Sequence, residues 1–385
     1  MDYTFINDTK LMVGESALEN IAYEIRYCGC KRPLLVTDEI CKRLGYLKTF
    51  LRAFDNEDIV FSSVFDSVKS DADVETCEKL FNLCTLKECD CIVALGRRNV
   101  LTAAKIARIM VKENIGKVSS FRGVDLSGDY DKNMPLFVVP VISACGEEAT
   151  CRAEIFDEIS NTVYSFDTAA ASVNAVIIDY RMTDIIPPVA MAKFGLYALA
   201  MGVCAYLNSG DNTVVKMYAG AAIRDITGNL NTIINRNGSR RYRTRLMSDV
   251  VIAGIALSSV GRSVCDELVF SLAQYKGMEI EDMLVALMPS YAMTCDEDKL
   301  ASVLLYLAGE EEYSMCVPLG RAKKSIAFID KLYNDIYETT GMQLKLRDYG
   351  IDKGDFTEVV SYAIGSEAGK GLDMSYLLEI LERAY

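Results

Sequence analysis

The sequence predicts an α/β domain followed by an all-helical one. Three observations carry that prediction: the length of the chain, the alternation of short β-rich runs with helical patterns over its first half, and a change to long helical patterns from Pro187 onward. With 385 residues, 51% of them hydrophobic and 25% charged, the chain can bury large cores. Single cores stop growing at roughly 250–300 residues, so two domains are expected, 1–180 and 181–385.

In the first domain Leu34–Thr37, Ile59–Phe65, Cys91–Leu95 and Leu136–Val141 are apolar runs of strand length bounded by turns or charges. Between them Asp73–Leu86 and Val100–Glu113 read as helices, the alternation of a Rossmann-like parallel sheet with crossover helices. A hairpin is expected around Ala153–Phe166 and a further strand at Ala175–Ile178. Pro187 and Pro188 are placed to start a helix, and Ala190–Leu207 is almost wholly apolar. Further helices are expected at Asn212–Ile234, Leu246–Val260, Glu279–Met293, Glu297–Ala308, Ala322–Thr340, Phe356–Ile364 and Met374–Ala384.

Composition narrows the function. A formal charge of −13 repels phosphate backbones and anionic lipid, so neither nucleic acid nor a membrane is expected as a partner. The run Ser239–Arg245, with four arginines, reads as a solvated helix start or loop. No apolar run of about 18 residues lacks a charge or break. Thirteen cysteines without framework spacing, and no leader-like segment after Met1, point to reduced thiols in the cytoplasm. Cys28 and Cys30, like Cys89 and Cys91, lie too close together for a zinc knuckle. There is no histidine, so any chemistry must do without the commonest transition-metal ligand and neutral-pH proton carrier.

Four stretches carry a resemblance. Leu34–Asp38 (LLVTD) ends a strand in an aspartate; CIVALGRRNVLTAAK runs from Cys91 to Lys105; PVISACGEE spans Pro140–Glu148; FGLYALAMGVC spans Phe194–Cys204. In this order the chain resembles the iron-containing (group III) alcohol dehydrogenases over essentially its whole length. The branch it is most similar to includes ethanolamine- and propanediol-utilisation enzymes and the C-terminal half of bifunctional aldehyde/alcohol dehydrogenases. The resemblance implies a dehydroquinate synthase-like fold, with Asp38 as the adenosine-ribose aspartate.

Against the family's GGGSxxDxAK loop the chain keeps Gly96, Ala104 and Lys105, while Arg97, Arg98, Asn99 and Thr102 stand for two glycines, the serine and the aspartate. Glycines there let backbone N–H groups approach a pyrophosphate at a helix N-terminus. Two arginines are expected to obstruct it, to grip an anion through their side chains, or to be neutralised by nearby acids. Against PTTAGTGSE, hydroxyls are replaced by Val141, Ile142 and Cys145, and Glu147 adds a charge that opposes a diphosphate; the family's hairpin lysine matches Val163. The candidate cofactor contacts are thus Asp38, Gly96, Arg97, Arg98, Asn99 and Cys145.

The four metal-ligand positions hold Tyr197, Met201, Asp266 and Ile280, and a substrate-side histidine position holds Phe270. Only Asp266 is a good ligand for iron or zinc. A replacement soft-metal set of Met201, Cys204, Cys265 and Asp266 is conceivable, but unpaired cysteines and methionines on apolar helices usually belong to cores.

The first functional reading is therefore a noncatalytic relative with a structural, regulatory or partner-binding role. It would hold no cofactor, neither iron nor zinc, and nothing cationic to meet an alkoxide, and it would form a homodimer or a hetero-oligomer with an active paralogue. The second is an NAD(P)-dependent alcohol dehydrogenase or aldehyde reductase with metal-free chemistry around Tyr197, Asp266 or a cysteine. The third is a module binding a small anion or nucleotide on Arg97 and Arg98.

Overall fold

The computed structural model describes residues 3–69, 72–121, 124, 126, 134–157, 162–184, 186–235, 239–366 and 369–385. The chain divides into two units: residues 6–186, and the N-terminal residues through Phe5 with 187–385.

The first unit runs β1 (Lys10–Gly14), α1 (Asn20–Tyr27), β2 (Pro33–Asp38), α2 (Glu39–Arg43), α3 (Tyr46–Arg52), β3 (Ser63–Val68), α4 (Val74–Leu86), β4 (Cys91–Gly96), α5 (Arg98–Glu113), β5 (Leu136–Pro140), β6 (Arg152–Asp157), β7 (Thr162–Asp167) and β8 (Ala175–Asp179). Six strands form one parallel sheet in the order β1-β8-β5-β4-β2-β3, while β6 and β7 pair as a separate antiparallel hairpin. Every residue of β2, β4, β5 and β8 is buried, as a parallel sheet covered on both faces requires. One face, through Leu35, Val93, Leu95, Phe137, Val139 and Ile177, packs on Leu18, Ile21, Ile25 and Phe50. Since β2, β4 and β5 are neighbours, their C-terminal ends and the loops that follow lie along one edge.

The second unit contains α6 (Pro188–Asn208), α7 (Thr213–Asn235), α8 (Arg240–Ser258), α9 (Val264–Lys276), α10 (Ile280–Met293), α11 (Glu297–Met315), α12 (Arg321–Thr340), α13 (Phe356–Gly365) and α14 (Met374–Ala384). The hub is α6, packed against α7, α8 and α10. By length and composition α6 could also cross a bilayer, although Lys193 interrupts its apolar run as expected; 78% of its apolar stretch is buried inside the protein. A helix apolar all round is what a bundle's central position selects.

Some boundaries differ from expectation for identifiable reasons. β3 starts at Ser63, since Ser62 N–H donates to Pro33 O (2.9 Å) where the ladder with β2 opens, and Ile59 and Phe61 instead pack against the core. α8 starts at Arg240, so the arginine run forms its first turns. α11 extends past Ala308, but Gly309 (φ 86°, ψ 173°) interrupts it at the point where the apolar periodicity stops. β1, the three short helices flanking β2, and α9 were not foreseen.

Candidate functional site

The β4–α5 turn is organised around the closeness of strand and helix. A Cβ on Gly96 would stand 2.4 Å from Val100 Cγ2, so only glycine lets α5 begin directly against the strand. Arg97 occupies the N-cap with no side-chain cap on the first-turn amides. Its Nε is buried and, among the described residues, has no hydrogen-bond partner, at the positive end of the helix dipole.

Arg98 behaves differently. Its guanidinium pairs with Glu147 and donates to Cys145 O (3.0 Å). Of the alternatives expected for the two arginines, Arg98 takes neutralisation by a nearby acid, and the charge of Glu147 is matched by it. Asn99 is buried, and its Nδ2 donates to Lys69 O (2.6 Å) and Asp38 Oδ2 (3.3 Å). The other oxygen of Asp38 accepts from Cys41 N–H (2.8 Å) and caps α2. Asp38 and Asn99 therefore clasp the ends of β2, β3 and β4 together.

The loop after β5 is held from beneath. Lys105, fully buried one face of α5 below Arg98, donates from Nζ to the carbonyls of Glu147 (2.7 Å), Thr150 (2.8 Å) and Arg152 (2.8 Å). Burial draws its pKa below the usual lysine value. Glu148, also buried, accepts the amides of Cys145 (2.6 Å) and Gly146 (2.9 Å). Burial raises its carboxyl, and those amide bonds oppose the rise. Cys145 is buried and its thiol is pushed well up by burial; its side chain hydrogen-bonds Glu148, while its backbone carbonyl accepts from Arg98. Ile142 adopts φ 68°, a left-handed conformation costly for a β-branched residue, with its amide on Met182 O (2.9 Å). Of Val163 only its place in β7, opposite Phe156, is described.

In the helical unit Tyr197, Met201 and Cys204 recur at i, i+4 and i+7 of α6, and all are buried. Asp266 is the third residue of α9, and its Oδ2 accepts from Ser263 N–H (2.7 Å) and Ser263 Oγ–H (2.7 Å) in a capping box. Ile280 opens α10 and is half-buried. A thiol–thiol hydrogen bond, and then burial, lift the Cys204 thiol well up against Cys265. The conceivable Met201, Cys204, Cys265 and Asp266 set is thus divided between a core dithiol and a helix cap. A buried phenol, a thioether, a capping carboxylate and an alkyl group do not match the donor set of an iron centre.

Sequence reasoning missed two cations, one on α6 and one in the connection that leads into α9. Lys193, one turn before Tyr197, pairs with Asp282 of α10 (2.8 Å). The Arg262 guanidinium lies 4.6 Å from the Phe270 ring centroid and 3.5 Å from Glu267. A signal for the first was available, since Lys193 is the one charged residue between Pro188 and Asn208.

Comparison with known proteins completes the picture. The model of the family described as iron-containing alcohol dehydrogenase matches residues 8–180, and that of its C-terminal part matches residues 191–375. Long-chain-alcohol dehydrogenase 1 of Geobacillus thermodenitrificans is 22% identical over 358 residues, covering 91% of this chain and 88% of that protein. Among solved structures, a 1,3-propanediol oxidoreductase superposes with a TM-score of 0.88 at 19% identity, covering all of both chains. Sulfoacetaldehyde reductase of Bifidobacterium kashiwanohense, solved with NAD+, gives 0.84 at 15%, covering 100% of this chain and 99% of that one. These findings overturn the first functional reading, a noncatalytic chain holding no cofactor and neither iron nor zinc: the models that match both halves are those of iron-containing dehydrogenases, the similar curated proteins are dehydrogenases and reductases, and one similar structure holds the dinucleotide. The second reading fits them better. With a matching model on each unit and the parallel sheet and helical bundle both in place, the chain belongs to the iron-containing alcohol dehydrogenase family.

Proposed function

We propose that the chain is an NAD(P)-dependent oxidoreductase that interconverts an alcohol and its aldehyde. The observation that carries this reading is the buried Arg97 Nε, without a partner among the described residues, on the uncapped N-terminus of α5. That arrangement fits a pyrophosphate, which would take the first-turn amides and a charge-assisted bond from Arg97. Gly96 keeps the backbone close, Arg98 is held aside by Glu147, Lys105 fixes the loop carrying Glu147 and Cys145, and Asn99 and Asp38 keep the strand ends in register.

When bound, the nicotinamide accepts or supplies the hydride. The chain's own part is to carry a proton and to meet charge on the substrate oxygen. We assign the proton to Tyr197 Oη, on the family's ligand-bearing face of α6, where a phenol can donate as an aldehyde oxygen gains electrons. Lys193, on the same helix face, and Arg262 favour the developing oxyanion; the pair with Asp282 fixes the lysine. Tyr197 and Met201, one turn apart on the same face of α6, are both buried, which keeps water from that face.

We also propose a cytoplasmic homodimer. All thirteen cysteines are free thiols, and β1 is an edge strand with Val13 exposed; light scattering tests the dimer.

The decisive experiment is calorimetry with NADH and NADPH alongside dinucleotide absorbance during incubation with a panel of primary alcohols and aldehydes. Micromolar binding with substrate-dependent turnover is expected. Failure of both dinucleotides to bind would end the proposal.

A further inference from the structure

We propose that Cys30, Asp90 and Cys91 hold a thiophilic divalent cation, zinc being the biological candidate. The site lies where β2 and β4 begin, the end of the sheet opposite the loops discussed above. Pro33 and Cys91 are register partners in the first rung of the β2–β4 ladder, Cys30 lies in the turn between α1 and β2, and Asp90 immediately precedes β4. The two Sγ atoms and a carboxylate oxygen lie within 4.8 Å of one another. In a tetrahedral site with Zn–S bonds of about 2.3 Å, two sulfurs stand about 3.8 Å apart. Closing on an ion therefore needs side-chain rotation and no rearrangement of the strands.

Three features set this cluster apart from cysteines that merely fill a core. First, both thiols are buried, Cys30 at 7% and Cys91 at 0% exposure, and they hydrogen-bond to each other. Second, the carboxylate beside them is already aimed: Asp90 Oδ2 accepts Lys31 N–H (2.7 Å) and Oδ1 accepts Arg32 N–H (2.9 Å). Each oxygen keeps a lone pair, and a carboxylate held by outer hydrogen bonds is the usual support of a metal ligand. Third, a carboxylate against two buried thiols is poor company for apolar filler, whereas a divalent cation replacing both thiol protons would leave the net charge of the group at −1 and give the carboxylate a direct counter-ion. Two thiolates select soft or borderline ions, and the carboxylate shifts the preference from copper(I) to zinc. Binding releases the two thiol protons to solvent and involves no redox step. Three protein ligands leave a fourth position for water, and the ion would tie the α1–β2 turn to the start of β4.

The neighbouring pair Cys84 and Cys89 provides an internal control: these thiols also hydrogen-bond to each other, but they are not part of the metal-ligand cluster. The test is titration of the chelator-treated, full-length chain with cadmium, reading the ultraviolet thiolate-to-cadmium band and the melting temperature. The expected result is a saturable band and a rise in Tm, both lost in Cys30→Ser and Cys91→Ser and both retained in Cys84→Ser. If Cys91→Ser fails to fold, Cys30→Ser decides, provided its metal-free melt matches the parent. Absence of the band, its retention in Cys30→Ser, or its loss in Cys84→Ser would overturn the site. Dinucleotide binding and turnover are scored separately, so this result and that of the proposed function can fail independently.

Discussion

The β4–α5 edge of the sheet and the α6–α9–α10 face of the helical unit both depart from their family's pattern, but they have absorbed the change differently. At the sheet edge two of the substituted residues are locally partnered: Arg98 faces Glu147, and Asn99 bonds to Asp38 and to the end of β3. The frame beneath, Gly96 and Lys105, is intact. On the helical face the ligand positions were taken over by packing and capping, with Tyr197 and Met201 buried and Asp266 in a capping box, while positive charge entered through Lys193 and Arg262. A binding loop can change residue by residue if each charge is compensated locally. A metal-ligand face has no such gradual route, because each ligand must be replaced by something that fills its space.

That contrast sets the order of expected effects. Tyr197→Phe removes one oxygen from the helical face and leaves the sheet edge untouched. It should lower kcat about 100-fold or more, the size of a lost proton donor, with NAD(P)H affinity within twofold; an unchanged kcat would remove Tyr197 from the mechanism. Lys105→Met probes the frame. Three buried carbonyls would lose their donor, and at about 1–3 kcal/mol for each unsatisfied group the urea midpoint should fall by the equivalent of about 3 kcal/mol or more, at unchanged m-value. A loss under about 1 kcal/mol would mean that the loop after β5 is held by other contacts. Arg97→Gln should weaken NADH about tenfold or more by calorimetry, the scale of a charge-assisted hydrogen bond. Arg98→Gln should weaken it less, because Arg98 is already paired. The reverse ranking would show that Arg98 leaves Glu147 to take the anion.

Much of the fold was legible because burial writes itself into spacing. All-apolar runs such as Cys91–Leu95 and Leu136–Val139 can only be strands covered on both faces, and the apolar length of α6 could only be a hub or a span. What escaped was held by single polar contacts. α9 opens on Ser263-Val264-Cys265-Asp266, a capping pattern with aspartate in place of the usual glutamate, and was read only as a site of lost ligands. At the site, the identities of the substituted residues were readable, but their partners were not. Glu147 lies 49 residues from Arg98, and a contact across that separation has no local periodicity to betray it. The inference from altered ligands to lost catalysis failed for another reason: it counted the groups removed and gave no weight to Lys193 on α6 or to Arg262 just before α9.

The smallest expected effect asks whether the two units also differ in how they carry buried acids. In the sheet unit Glu148 is buried but receives two backbone amides. In the helical unit Asp249, on α8 and 4% exposed, has burial as the main influence on its carboxyl, with Asp225 adding repulsion and Arg245 opposing it; its pKa is raised to about 8. Arg245 gives little relief because it is engaged with Asp225 at 2.5 Å. An unfolded aspartate ionises near ~3.9, so between about pH 4 and pH 8 the native state holds a proton that the unfolded state has lost. Stability must therefore fall as pH rises through that window and be unaffected by this group below it. Asp249→Asn keeps the shape and removes the titration. Its urea midpoint should match the parent near pH 4 and exceed it at pH 8 by the equivalent of roughly 1 kcal/mol or more, the worth of a single pKa unit. If the two proteins differ by the same amount at both pH values, the Asp249 carboxyl is ionised in the native state, and the helical unit stabilises its buried acids as the sheet unit does.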